Sequence, residues 1–410
     1  MKGTIVLIGT LDTKSEETLF MKKIIEKNDY KVITIDMGTG ARGTSVFESD
    51  YSKEMISEAA GSNMKEILAL GEVGKENRII EIMSDGTTLI CQKLYKEGKL
   101  DGLLSLGGSV GTNLGTKVMR DMPFGLPKVM LSTIASGDTS PYITTKDIVM
   151  MPSIADLAGL NRITETVLTS AAGVVMGMVA ALKDNPVASS EKKLIGVTTL
   201  GGTTNCALYL KKKFEAKNYE VVVFHANGNG GKAMEEMIDQ GLIQGVFDLS
   251  TNEIVDHQYQ GWGDAGATRM EVAGKKGIPQ LVCPGNTDHI IYMSPDQIPE
   301  KFRHQYIHIH GLGINVLRTK KNEMIEIAKV MAEKMNAAKG KTAVIFPLKG
   351  LSVLDLVEKE FDDVEANLAY LDQLKKSLKP EIKIVEVDAH ITDDKFAEKA
   401  VEMLFDLMES

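Results

Sequence analysis

Glycines, hydroxyls and one lysine gather after three short apolar runs in the first half of this sequence, a composition suited to holding an anion. Run 4–8 leads into Gly9-Thr10-Leu11-Asp12-Thr13-Lys14-Ser15-Glu16. Gly9 permits a sharp exit, and Asp12 or Thr13 can cap the helix that follows. Helix-start amides, the two threonine hydroxyls and Lys14 then form a phosphate cradle. Taken alone, this loop reads better as a plain strand–turn–helix cap. Run 102–106 is followed by Gly107-Gly108-Ser109-Val110-Gly111-Thr112-Asn113, where adjacent glycines let amides approach an anion. Run 128–131 leads into a third loop containing Ser136, Gly137 and Thr139. Three such loops in one half predict a convergent site.

The second half offers its own constellations. Gly201-Gly202-Thr203 follows run 194–199 as a second hydroxyl-rich cradle. His225-Ala226-Asn227-Gly228-Asn229-Gly230-Gly231 follows run 220–224, and with Ala233 it fits a dinucleotide-type glycine pattern. Glu253 and His257 are four residues apart, hence on one helical face, and suit acid–base work or metal ligation. Asp288, His289, His308 and His310 are candidates to gather around a divalent cation, although no familiar ligand spacing is present. Arg318 suits an anion clamp and Ser352 a helix cap or a substrate contact. Trp262, between glycines, could stack on a base or plug a local core. Gly38-Thr39-Gly40-Ala41-Arg42-Gly43 matches G-x-G-x-x-G, but it follows the second run and no helix opens directly after it. Arg42 is either a phosphate contact or a solvated loop charge.

The elements that must position these residues are legible as alternation. Compact β-branched runs at 4–8, 31–35, 102–106 and 128–131 alternate with helical patterns, and runs at 194–199, 220–224, 245–249, 278–282, 343–346 and 383–387 repeat the plan. This predicts an α/β fold of two Rossmann-like domains, each a mainly parallel sheet with helices on both faces. The polar stretch 183–193, with Pro186 inside it, marks the boundary between domains 1–185 and 186–410. Gly173 and Gly177, on a long helix, give a spacing suited to close helix packing in a core or at a dimer interface.

Composition narrows the function. The chain has 410 residues, a hydrophobic share of 43% and a net charge of −9, which disfavours a general nucleic-acid binder. No membrane-spanning stretch or signal peptide is expected. Three widely separated cysteines suggest neither a disulfide framework nor a zinc site, so a cytoplasmic location is expected. A homodimer or higher homo-oligomer is the expected assembly.

At these loops the sequence resembles the Tm-one-like ATP-binding family, two-domain bacterial proteins related to the front module of a tomato mosaic virus resistance protein. The likeness rests on Gly9 to Glu16, Asp36-Met37-Gly38, the Gly107 and Ser136 loops, the His225 and Gly230 loops, and Pro347-Leu348-Lys349-Gly350-Leu351-Ser352. Where the family has His-Asn-Pro, this chain has His310-Gly311-Leu312, with Arg318 at the expected distance. The resemblance implies ATP binding in the first domain, with magnesium as a companion, and no particular reaction. Nucleotide contacts are then expected at Gly9, Thr10, Asp12, Thr13, Lys14, Asp36, Gly38, Gly107, Gly108, Ser109, Gly111, Thr112, Ser136, Gly137 and Thr139. Three functions compete. One is an ATP-dependent enzyme acting on a small anionic metabolite in an inter-domain cleft. A nucleotide-gated regulatory protein is the second. An NAD(P)-dependent oxidoreductase, resting on the two glycine patterns alone, is the third.

Overall fold

A computed structural model of the chain describes residues 1–39, 43–186, 190–311 and 313–409. The chain divides into two compact units, Met1–Ala188 and Ser189–Ser410.

The first unit runs β1 (Gly3–Gly9), α1 (Leu11–Lys27), β2 (Tyr30–Asp36), α2 (Lys53–Ala59), α3 (Met64–Glu72), α4 (Glu76–Lys96), β3 (Gly102–Gly107), α5 (Ser109–Arg120), β4 (Lys128–Ser132), α6 (Ser140–Ile143), β5 (Val149–Pro152) and α7 (Arg162–Asp184). Its five strands are parallel, in the order β2-β1-β3-β4-β5. Apolar residues on both strand faces pack under helices. Val6, Ile8 and Leu103 join one cluster, while Ile5, Leu7 and Leu104 join the other. Strand β5 was not anticipated from sequence. Its four residues are too few, and too exposed at both ends, to read as a buried run.

An 18-residue stretch of helix α7 has a mean hydropathy of 1.6, so by length and composition alone the helix could cross a membrane. It packs into this unit's core through Val167, Leu168, Ala171, Ala172, Val175 and Val179. Gly173 and Gly177 face away from that contact, with nothing within 4 Å of where a Cβ would stand. Tight packing of these two glycines inside the chain, one of the two expectations, is therefore not found.

The second unit runs β6 (Leu194–Thr199), α8 (Thr204–Glu215), β7 (Glu220–His225), α9 (Asn229–Asp239), β8 (Gly245–Ser250), α10 (Asn252–Tyr259), α11 (Val272–Lys276), β9 (Gln280–Gly285), β10 (His289–Tyr292), β11 (Ile307–His310), β12 (Ile314–Arg318), α12 (Lys321–Asn336), β13 (Thr342–Pro347), α13 (Val364–Ser377), β14 (Lys383–Val387) and α14 (Asp394–Glu409). Six strands form a parallel sheet in the order β14-β13-β9-β8-β6-β7. In both units the first strand lies between the second and third. The second unit adds a small antiparallel sheet, β10-β12-β11, which the sequence reading did not resolve. Ile291 of β10 and Ile314 of β12 pack with Leu200 and Ala226, the residues just beyond β6 and β7. The small sheet thus covers the carboxyl edge of the large one.

Candidate functional site

In an open parallel sheet the chain reverses its winding direction at one point, and a crevice opens there outside the carboxyl ends of the strands. In the first unit that point lies between β1 and β3. Two helix starts flank it, and neither has a side-chain cap: α1 after Thr10 and α5 after Gly108. Helical geometry leaves the first-turn amides of α5, at Ser109, Val110 and Gly111, without partners inside the helix. Ser109 is exposed, and the nearest atom to a Cβ on Gly108 would be Thr133 Oγ1 at 3.7 Å, so the approach is open. Gly107 and Gly111 have a packing role: a Cβ on Gly107 would stand 2.6 Å from Gly111 Cα, so this pair lets α5 start directly over β3.

The other residues expected here divide between the crevice and the scaffold. The Thr10 and Thr13 hydroxyls lie 3.0 Å apart at the start of α1, beside Gly9. Asp36 Oδ1 accepts from Leu11 N at 3.0 Å and Gly38 N at 2.8 Å, bracing the ends of β1 and β2. Burial holds the Asp36 carboxyl above its ordinary pKa despite those two amides. Asp12 Oδ2 accepts from Thr39 N at 3.1 Å.

Some expectations need correcting. The Lys14 ammonium donates to the Leu157 carbonyl, so it is a tie between α1 and the segment after β5 rather than a free phosphate ligand. Thr112 is fully buried, with Oγ1 2.7 Å from Ser132 Oγ, and holds α5 to the end of β4. Ser136 and Gly137 are exposed. Thr139 leads into α6, which is tied to the body of α5 because Arg120 donates to Tyr142 O at 2.7 Å and lies 3.5 Å from Thr116 Oγ1. Arg42 and the middle of its glycine pattern lie outside the described residues.

The second unit's expected cradles are closed by its own side chains. Glu253 is fully buried; its Oε1 accepts from Gly228 N at 2.8 Å and Gly231 N at 3.0 Å. The amides meant for a ligand's phosphate therefore hold an internal carboxylate. A Cβ on Gly231 would meet Glu253 Oε2 at 1.9 Å, and one on Gly230 would meet the His225 carbonyl at 1.9 Å, so close internal packing requires these glycines. Asn227 Oδ1 accepts from Gly230 N at 3.3 Å within the same turn, and the His225 side chain is exposed. At the other cradle, Val353 sits against Gly202, where a Cβ would stand 1.9 Å from Val353 Cγ1. Thr203 is buried and bonds Thr199, Leu200 and Ser250, while Gly201 remains exposed.

Glu253 is likewise not paired with His257. Its second oxygen accepts from Arg269 Nε at 2.7 Å, and Arg269 NH1 donates to Asp248 Oδ2 at 2.7 Å. Burial opposes the Arg269 charge, but Asp248, Glu253 and Glu235 hold its pKa well above the ordinary value. His257 instead faces outward, with Nδ1 2.8 Å from Asp264 Oδ1 on the rim of a cleft of about 610 Å³. Asp256, buried beside it in sequence, accepts from Ile291 N at 3.0 Å and Gly263 N at 2.8 Å. It anchors the turn that carries the half-exposed Trp262.

Arg318 is not a free anion clamp. Its guanidinium donates to the carbonyls of Phe361, Asp288, Thr319 and Asp363 and to Asn367 Oδ1. Ser352 Oγ donates to Asp288 Oδ2 at 2.6 Å and accepts from Leu354 N at 3.1 Å. Asp288, Asp355, Arg318, Ser352 and His390 form a buried polar cluster beyond β9 and β13, joined by His390 Nε2 at 2.9 Å from the Ser352 carbonyl. Burial works against the Asp288 charge, but His289, Arg318 and Ser352 bring its pKa below the ordinary value. Burial and the neighbouring Asp288 push Asp355 up to about 7. His308 pairs with Glu360 and His310 is exposed, so neither joins Asp288. Among the described residues no group of three or more His, Cys, Asp or Glu is arranged to hold a metal.

Two family models cover nearly the whole chain. The N-terminal domain of an uncharacterised protein family, UPF0261, matches residues 3–184, and its C-terminal domain matches residues 192–408. The chain belongs to this family. A UPF0261 protein of Clostridium tetani is 39% identical over 100% of both chains. The tomato ToMV susceptible protein tm-1(GCR26) is 33% identical over 98% of this chain, which spans 55% of the plant protein. The ToMV resistance protein Tm-1(GCR237) matches at 32% over the same shares. Among solved structures, a UDP-N-acetylglucosamine 2-epimerase from Rickettsia bellii aligns over 99% of this chain and 97% of its own at 10% identity. Its TM-score of 0.23 is too low to bear on function. The two UPF0261 halves coincide with the two units' regular structure: α7 ends at Asp184 and β6 begins at Leu194.

Proposed function

We propose that this UPF0261 protein binds ATP in its first unit, with the phosphates at the start of α5 and magnesium entering as the nucleotide's own counter-ion. One observation carries the reading: α5 opens at the β1/β3 reversal with an uncapped, accessible N-terminus at Gly108 and Ser109. The contrast between the units supports it. The α9 start is occupied by Glu253, which takes away one of the two glycine patterns on which the oxidoreductase reading rests. Thr10, Thr13, Gly108 and Ser109 are the residues of this chain suited to phosphate contacts. Lys14 and Thr112 act by holding the scaffold.

The reading names a ligand and no reaction. An anionic metabolite in the second unit loses most of its expected contacts, because Arg318, Thr203 and the Gly228, Gly230 and Gly231 amides are already engaged, while Gly201 and His225 stay exposed. Thermal unfolding of the full chain with Mg-ATP, NAD or no nucleotide tests the proposal. ATP should raise the midpoint and NAD should leave it unchanged. Stabilisation by NAD alone would overturn the reading.

A further inference from the structure

The cleft of about 610 Å³ that His257 borders lies between α10 and α12, within the size range of small-molecule sites. Helical spacing builds its walls. Ile254 and His257 of α10 lie three residues apart, so they share one face of that helix. Val330, Glu333, Lys334 and Ala337 recur along α12 with the same periodicity and share a face there. Ala267, in the loop before α11, adds to the lining. One carboxylate ties these parts together. Glu271 Oε1 lies 2.8 Å from Lys334 Nζ, and its Oε2 lies 2.8 Å from Lys275 Nζ. Lys334 also donates to the Ala267 carbonyl, so α12 is fixed to the loop at two points.

Two features define what such a cleft accepts. The first is charge. Lys275 and Lys334 line it together with Glu271 and Glu333, so neither an anion nor a cation meets a net attraction. Both lysines are engaged with Glu271, which leaves no free ammonium to clamp a phosphate or carboxylate. The second feature is a hydrogen-bond acceptor held in place. His257 Nδ1 lies 2.8 Å from Asp264 Oδ1, and the same oxygen accepts from Gly266 N at 2.6 Å. A ring that donates Nδ1–H to a carboxylate presents Nε2 as an acceptor. Among the described residues that Nε2 has no partner. Ile254, Val330 and Ala337 supply apolar surface beside it.

We propose that this cleft binds an uncharged small molecule with a hydroxyl group on an apolar body. The hydroxyl donates to His257 Nε2, and the body lies against Val330 and Ala337. All the lining residues belong to the second unit, so the site does not depend on ATP binding in the first.

Three probes with one skeleton test the charge preference: benzyl alcohol, benzoate and benzylamine. Each is titrated into the full chain carrying isotope-labelled histidine. The chain has 7 histidines, and loss of one ring signal in His257→Gln assigns the signal of interest. Benzyl alcohol should move that signal saturably, with an affinity about fivefold or more above either charged probe. Ala337→Trp fills the cleft from an exposed position, so it should abolish the shift while the urea midpoint stays that of the parent. Ala267→Trp, also at an exposed position, gives the same readout from the loop. Benzoate or benzylamine binding as tightly as the alcohol overturns the proposal. So does the absence of a saturable shift with all three probes, or an alcohol shift that survives both tryptophan variants.

Discussion

Glu253 Oε2 lies 2.7 Å from Arg269 Nε, and both side chains are sealed from solvent. The other oxygen of the same carboxylate holds the Gly228 and Gly231 amides. One acid thus ties α10, the guanidinium and the start of α9 together. Glu253→Gln keeps an acceptor for the amides but turns an amide group toward Arg269. Removing one partner of a buried ion pair costs about 3–5 kcal/mol. Urea unfolding should register a loss of that size. An unchanged midpoint would return Glu253 to the pool of catalytic candidates.

Two glycines of the second unit should respond differently to the same change. At Gly231 an added Cβ would meet Glu253 Oε2 at 1.9 Å and Arg269 Nε at 2.4 Å, inside the ion-pair network. Gly231→Ala should therefore cost roughly 3 kcal/mol or more. Gly201 has φ +54 with nothing within 4 Å, so Gly201→Ala meets only left-handed backbone strain of about 1 kcal/mol. Chemical denaturation of the two variants checks the order. Equal losses would mean that the Gly231 turn is looser than described.

The alternation of buried runs and helical patterns made the two parallel sheets legible, because a strand covered on both faces must be apolar throughout, as Ile5, Val6, Leu7 and Ile8 are. The loops after the strands were legible too, since glycines and hydroxyls stand out in any sequence. What fills a loop was not. Nothing near Gly228 in sequence announces that Glu253 will occupy its amides, because that contact spans 25 residues. Arg269 was missed for the same reason: its three acidic partners come from α9, β8 and α10. The small antiparallel sheet was obscured by its short strands, since β10 and β11 have four residues each.

Stability should fall as pH rises from about 5 to 7, a direction set by buried carboxyls that prefer to be neutral. Burial pushes the Asp256 pKa from 3.8 up to about 7, outweighing the Ile291 and Gly263 amides that favour its charge. Between those values the folded chain holds a proton that the unfolded chain has released. The stabilisation from Asp256 is complete below its unfolded pKa and is lost as pH climbs through the folded one. The slope is about 1.4 kcal/mol per pH unit for one such group. Asp288, held low, titrates below this window. Urea midpoints of the parent and Asp256→Asn at several pH values isolate the effect, and the variant should show the shallower slope. Parallel slopes would mean that Asp256 titrates as an ordinary carboxyl.

Gly108→Asp should separate nucleotide binding from folding, because its two effects have opposite signs. Gly108 caps α5 with φ −77 and ψ −157, a backbone open to any residue, and the nearest atom to a Cβ is 3.7 Å away. An aspartate there can accept from the first-turn amides and favourably meet the positive end of the helix. That gain is on the order of 0.5 kcal/mol. The same carboxylate occupies the amides that a phosphate would use and repels its charge. The variant should therefore unfold at the same or a slightly higher urea concentration, while its ATP affinity in calorimetry drops at least tenfold. A variant that remains stable and still binds ATP as the parent does would place the phosphates elsewhere in the first unit. Equal loss of stability and binding would mean instead that the α5 start tolerates no side chain, whatever its charge.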